Sequence, residues 1–197
     1  MMKIIDNFLS KSYHEKILEL LSGPDFVWGY NHSISGSLED RGEAGQNRVL
    51  ETPQLNEYGF SHSLWRENHG PDSGYSSFIE PMLYQILDVA NCDFIFRARA
   101  DMVTWSGEKE FIHPAHIDFP FPNVAAIFYV NESDGDTIFY NEKVDDVVNY
   151  KDLKIYDRVS PKANRLVLFD GDLLHTGCSP TKFKSRILIN SNYIKKN

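Results

Sequence analysis

His116 and Asp118 stand two positions apart in the stretch Phe111 to Phe119. In an extended strand successive side chains alternate between faces, so these two project together while Ile117 points away. One strand end thus offers two metal ligands. A further histidine, His175, follows the apolar run from Arg165 to Asp170 and the turn residue Gly171, and so also sits at a strand end. Two neutral imidazoles and one carboxylate on one face of a divalent metal leave its other positions open, which suits a non-haem Fe(II) centre. Beyond them Arg186 opens another strand-like run that ends at Tyr193. Its planar, permanently charged fork can hold a carboxylate through two parallel hydrogen bonds.

Each piece also has a plain structural explanation. His116 and Asp118 would make a surface pair if the segment between Pro114 and Pro120 were a loop. His175 alone would be an ordinary hydrogen-bonded histidine, and Arg186 the partner of one of the many acids. Lys182 and Lys184 are alternative cations. Tyr129 shares a face with Ala125 and Ile127 and serves equally well as core. His113 falls on the face opposite His116 and reads as structural or as part of a pocket rim. Cys178 reads as a packed neutral thiol. Trp105, Phe119 and Phe121 line a substrate mouth or fill core. Asn190 shares the face of Arg186 and Leu188 and points into the interior, unless twist carries it to solvent. The ensemble, more than any one residue, favours the metal site.

The order His-x-Asp, a distal histidine and then a basic residue resembles the Fe(II)/2-oxoglutarate-dependent dioxygenases, most of all their prolyl 4-hydroxylase-like branch. The resemblance extends to Ala125 through Asn131, to Gly135 through Tyr140, and to the opening Ile4 to Ser10. It covers about residues 94 to 193. Gly135-Asp136 stands where the family often has paired glycines, and Arg186 lies eleven residues after His175, slightly further than is usual. The resemblance implies iron ligation by His116, Asp118 and His175, with Arg186 and Tyr129 holding 2-oxoglutarate. Asn190, by strand alternation, joins that cofactor pocket. It implies Fe(II), 2-oxoglutarate and O₂ as the working set, with ascorbate as an admissible reductant. The implied reaction is hydroxylation of a C–H bond, in a prolyl or other side chain of a peptide or protein, with release of succinate and CO₂. Second to that is the same chemistry on a free amino acid or small metabolite. A jelly-roll module that binds a metal without turnover is the reading of a different class.

The chain has 197 residues, 42% of them hydrophobic and 13% aromatic, enough to build a core. That length suits a single domain over residues 1–197, with 1–92 as helical and loop support and 93–194 as the core. A net charge of −8 with no long basic run disfavours duplex nucleic acid as a partner. Only two cysteines, Cys92 and Cys178, suggest free thiols in a reducing compartment. The opening residues carry no signal-like segment and no apolar run approaches a membrane span, so a cytoplasmic protein without membrane partners is expected.

Residues 12–22 read as a helix, with Ser12 and Glu15 at capping-box spacing and Tyr13, Ile17, Leu20 and Leu21 on one stripe. Gly23-Pro24 stops it. A short strand is expected over 25–30. From 31 to 76 the chain is loop-like around one short strand near 58–65, and such a stretch is a candidate lid. A second helix follows, with Glu80 and Pro81 in its first turn and Phe78, Met82, Leu83, Ile86, Leu87 and Ala90 on one face. Strands are expected over 94–105, 124–130, 137–140, 153–159, 165–170 and 186–193. Helices first and short strands after them predict a mainly β, α+β fold: a double-stranded β-helix, or jelly roll, with its N-terminal helices packed on one sheet.

Overall fold

The computed structural model describes residues 2–34, 57–67, 69–142 and 153–195. In chain order it contains β1 (Met2–Asp6), α1 (Lys11–Ser22), β2 (Gly29–Asn31), β3 (Gly59–Arg66), β4 (Gly70–Pro71), α2 (Ser76–Ala90), β5 (Phe94–Thr104), β6 (Val124–Tyr129), β7 (Thr137–Tyr140), β8 (Ile155–Val159), β9 (Arg165–Asp170), β10 (His175–Gly177) and β11 (Ser185–Ile194). Eight strands form a large antiparallel sheet in the order β1-β9-β6-β11-β5-β3-β2, with β4 on β3, and three form a smaller sheet in the order β10-β7-β8. The expected jelly roll is present.

The large sheet is covered on both faces, and its strands show why. Along β6, Ala126 and Phe128 face outward and join Ile187, Ile189 and Tyr193 of β11 against Ile17 and Leu21 of α1 and Met82, Leu83 and Ile86 of α2. Ala125, Ile127 and Tyr129 face inward and pack with Leu188, Val167, Phe169, Phe139 and Val159. Both sets are buried, so β6 reads as a continuous apolar run. The same alternation along β11 sends Arg186, Leu188, Asn190 and Asn192 toward the smaller sheet. Polar groups on this face are costly to bury unless they find partners there.

The helices differ in detail from expectation. The first is capped at Ser10 without a side-chain cap bond, so Ser12 and Glu15 make no capping box. Ile17 and Leu21 are buried and Leu20 packs partly against the core as expected, and His14 is buried beside them with its Nε2 2.8 Å from the Val130 carbonyl. The second starts at Ser76, earlier than Pro81 suggested. The Ser76 hydroxyl explains the earlier start: it donates to the Leu64 carbonyl at 2.5 Å and accepts from the Ser73 amide at 3.0 Å. Phe78 is 40% exposed and meets Tyr13 edge-on instead of entering the core. The strand expected over 25–30 shrinks to β2, because Phe26 is taken into an aromatic cluster with Trp28, His62 and Tyr75. Strands β1 and β10 were not expected, and β1 to β4 bring the N-terminal part into the large sheet. Of the expected lid, residues 35–56 and 68 lie outside the described residues. Among the described residues no helix is long and apolar enough to cross a membrane.

Asn164 ties the N-terminus to this frame. It adopts a left-handed backbone (φ 64°) and its buried amide bonds both polar groups of Leu9, accepting from the amide at 2.8 Å and donating to the carbonyl at 2.9 Å. Asn164→Ala orphans two buried backbone groups and is expected to cost about 2–4 kcal/mol in urea unfolding. An unchanged midpoint would contradict this role.

Candidate metal centre

The segment carrying His116 is not a regular strand; it is held by two isolated antiparallel bridges, Ile112 to Cys178 and His116 to His175. The second bridge is complete: the His116 amide donates to the His175 carbonyl at 2.9 Å and the His175 amide to the His116 carbonyl at 3.0 Å. Alternation survives the irregular backbone. Ala115 and Ile117 pack with Ile138, Tyr140, Leu174 and Cys178, so His116 and Asp118 turn the other way, toward His175. One ligand atom from each of His116, Asp118 and His175 lies within 4.8 Å of the others.

Both imidazoles are set up to ligate through Nε2. His116 Nδ1 lies 3.1 Å from the Pro114 carbonyl and His175 Nδ1 lies 2.9 Å from the Leu173 carbonyl. A carbonyl only accepts, so each Nδ1 carries the proton and each Nε2 keeps a lone pair. Phe169 packs against the His175 ring. Asp118 is gripped on both oxygens: Arg97 Nη2 lies 3.1 Å from Oδ1, while Asn192 and Asn190 donate to Oδ2 at 3.0 and 3.4 Å. Burial alone would raise this carboxyl, but Arg97 and the two histidines outweigh it and hold Asp118 well below the usual range. Burial, reinforced by neighbouring His175, lowers His116 to about 4. The site therefore offers a carboxylate and two imidazoles, the donor set that fits a divalent iron-like metal.

A second feature lies one step along the same strands. Gly177 follows His175 by two residues on β10 and pairs with Thr137 of β7. A Cβ on Gly177 would stand 2.9 Å from Arg186 Nη1, so the guanidinium fills the space that this glycine leaves. Arg186 is 4% exposed. Its Nη2 donates to the Thr137 hydroxyl at 2.6 Å, which also meets the Tyr129 hydroxyl at 2.6 Å, and its Nε is buried without a partner. The guanidinium carbon lies 5.5 Å from the centre of the Tyr129 ring. Among the described residues no carboxylate pairs with Arg186. A buried cation without a counter-ion is costly, so an anion would be stabilised beside it. Gly177, against which this guanidinium lies, is two residues of strand, roughly 7 Å, from His175.

The structure groups His116, Asp118 and His175, and it sets Arg186 against Tyr129 and Thr137 beside Gly177. Asn190 points inward, but it meets Asp118 and not Arg186. Lys182 and Lys184 are exposed. His113 is buried on Ser179 at 3.0 Å and takes a structural place. Cys178 is a free, buried thiol that burial pushes up to about 12, next to the Glu110 charge. Trp105 is half-exposed, whereas Phe119 and Phe121 cluster with Phe96 beside the site, and Arg97 stacks on Phe119 at 4.7 Å. Sequence reasoning missed Arg97, Asn192 and Thr137. Arg97 had a signal: with Arg99 and Asp101 it gives a strand charged at every second position, alternating with Ala98 and Ala100.

No family model and no curated protein matches the sequence. Solved structures do match the fold. One is a prolyl hydroxylase from Trichoplax adhaerens in complex with a hypoxia inducible factor oxygen degradation domain peptide fragment, with TM-score 0.60 and 16% identity, over 98% of this chain and 83% of that one. Another is an oxidoreductase of the 2OG-Fe(II) oxygenase family from Burkholderia pseudomallei, with TM-score 0.63 and 9% identity, over 100% of this chain and 86% of that one. A third is the epimerase SnoN in complex with Fe3+, alpha ketoglutarate and nogalamycin RO, with TM-score 0.61 and 12% identity, over 98% of this chain and 78% of that one. The chain has the fold that these oxygenases share.

Two desolvated histidines, buried His113 and half-buried His116, are expected to make the metal-free protein acid-sensitive. Burial lowers His113 to about 3, helped by Arg186 and His116, and burial lowers His116 to about 4. Both bind protons in the unfolded chain below about pH 6.5 but not in the native state, so acidification favours unfolding. Their contribution is complete above pH 6.5 and is lost as the pH falls toward 4 and 3. Between pH 6 and 5 the unfolding free energy should drop by on the order of 2 kcal/mol in urea titrations of metal-free protein. A flat profile over that interval would contradict neutral burial.

Proposed function

We propose that this protein is an Fe(II)- and 2-oxoglutarate-dependent dioxygenase that hydroxylates a C–H bond. The observation that carries the reading is a three-ligand cluster set one strand step from a buried guanidinium that lacks a counter-ion. His116, Asp118 and His175 would hold Fe(II), and Arg186 would receive the far carboxylate of 2-oxoglutarate. When bound, iron and cosubstrate supply the oxidising chemistry: O₂ gives one oxygen atom to succinate, formed with CO₂ from 2-oxoglutarate, and the other to the substrate C–H, which becomes C–OH.

The chain's own residues bind, orient and exclude water. Arg97, Asn190 and Asn192 fix the orientation of the Asp118 carboxylate, and the two backbone carbonyls fix both histidine tautomers. Tyr129 and Thr137 line the anion pocket, and the Thr137 hydroxyl hands a donor direction to Arg186 by accepting its Nη2. Phe139 and Phe169, packed near His175, keep that side dry. Unpaired Cys92 and Cys178 accord with a cytoplasmic, reducing setting. The substrate is either a peptide side chain, prolyl included, or a small molecule.

Calorimetric titration of Mn(II)-loaded protein with 2-oxoglutarate tests this directly. Wild type should bind it, and Arg186→Ala should weaken binding on the order of 30-fold or more, since it removes one partner of a buried charged pair. His116→Ala should lose the metal as well. Failure of metal-loaded wild type to bind 2-oxoglutarate would instead favour a metal-binding jelly roll without turnover.

A further inference from the structure

One charged pair on the inner face of the large sheet has no part in the three-ligand cluster or the Arg186 pocket. Arg99 and Asp101 lie two apart on β5, with Arg99 Nε 2.6 Å from Asp101 Oδ1. The sheet register fixes where they stand. Arg99 pairs across to Asn190 of β11 and Ser63 of β3, while Asp101 pairs across to Leu188 and Ser61. The first row leads through Asn190 to Asp118, and the second leads through Leu188 to Tyr129 in the anion pocket. Directly paired residues share a face, so Arg99 and Asp101 lie on the face that carries Asn190, Leu188 and Tyr129.

The other cations of the site are already committed. Arg97 is held by Asp118, and Arg186 faces the cosubstrate pocket. Arg99 is left, and among the described residues its terminal nitrogens make no hydrogen bond; its side chain is 31% exposed and that of Asp101 14%. The pair is thus reachable from outside but mostly desolvated. Burial raises the Asp101 carboxyl more than Arg99 lowers it.

We propose that Arg99 and Asp101 recognise a free amino acid, with the α-carboxylate on the Arg99 fork and the α-ammonium on Asp101, so that its side chain is presented to the metal. This rests on the dioxygenase reading and names its substrate class. Charge balance favours a ligand that carries both signs. A lone anion on Arg99 would strand Asp101, and a lone cation on Asp101 would strand Arg99, each at the cost of a half-buried unpaired charge. The neutral amides of a peptide bring neither charge. A zwitterion replaces both partners at once, and the planar fork binds its carboxylate bidentately. Phe119, on which Arg97 stacks, offers an apolar wall for the side chain.

The test uses protein loaded with Mn(II) and 2-oxoglutarate, with thermal shift as the screen and calorimetry on any hit. The probes are the standard protein amino acids, each beside its own carboxamide, and a blocked prolyl peptide. At least one free amino acid should bind, and its carboxamide should bind at least about tenfold more weakly. Arg99→Gln and Asp101→Asn should each weaken that amino acid about tenfold or more while still binding Mn(II) and 2-oxoglutarate, which reports an intact fold; Arg99→Lys should recover part of the loss. The proposal is overturned if acid and carboxamide bind alike, if Arg99→Gln binds the amino acid as wild type does, or if no free amino acid binds, whether or not the blocked peptide does. If wild type binds 2-oxoglutarate but no amino acid, only this inference falls. If it binds no 2-oxoglutarate, the dioxygenase reading falls and takes this inference with it.

Discussion

The backbone exchange between His116 and His175, two hydrogen bonds of 2.9 and 3.0 Å, is what the rest of the site depends on. It closes the irregular segment before Asp118 onto the short strand β10, and so joins residues far apart in sequence at one point. The ligand geometry follows from it. Once these two residues pair, their rings lie 4.8 Å apart, and alternation turns Asp118 to the same side. The outer faces of the two segments bury Ile117, Leu174 and Cys178, so the clamp is stabilised by packing behind the site and leaves the front free for chemistry.

Charge governs what remains inside. A jelly roll with helices on its outer face can fill its interior with apolar side chains, and Ile127, Val167 and Leu188 do this on the strands around the site. Against that background Asp118, Arg97, Arg99, Asp101 and Arg186 stand out. Desolvation makes each expensive unless it is paired. Asp118 with Arg97, and Arg99 with Asp101, are internally compensated, whereas Arg186 has only neutral hydroxyl company. Compensation is therefore unequal: two of these groups are held in ion pairs with Arg97 and Arg99, and Arg186 is not.

Much of the site was legible in the sequence because it obeys local periodicity. His116 and Asp118 needed only the two-residue repeat of an extended chain, and Tyr129 and Asn190 were put on the correct face by the same rule. What escaped depends on pairing between distant strands. That Asn190 would reach Asp118, or that Thr137 would bridge Tyr129 and Arg186, follows from register, which no single strand encodes. Strand β1 was hidden by its mixed pattern, and β10 by its length of three residues. Phe78 was misread because helical spacing alone put it on the core stripe. The actual start of α2 at Ser76 is set by hydroxyl bonds to Leu64 and Ser73, and those depend on tertiary structure.

The central claim is that three ligands and one cation form a single chelation site. Anaerobic addition of Fe(II) and then 2-oxoglutarate addresses it most directly, because a 2-oxo acid chelated to Fe(II) through its oxo and carboxylate oxygens gives a weak visible metal-to-ligand charge-transfer band. The account predicts that band in the wild-type protein and its disappearance in Asp118→Ala. Bound iron with added 2-oxoglutarate and no band would contradict it.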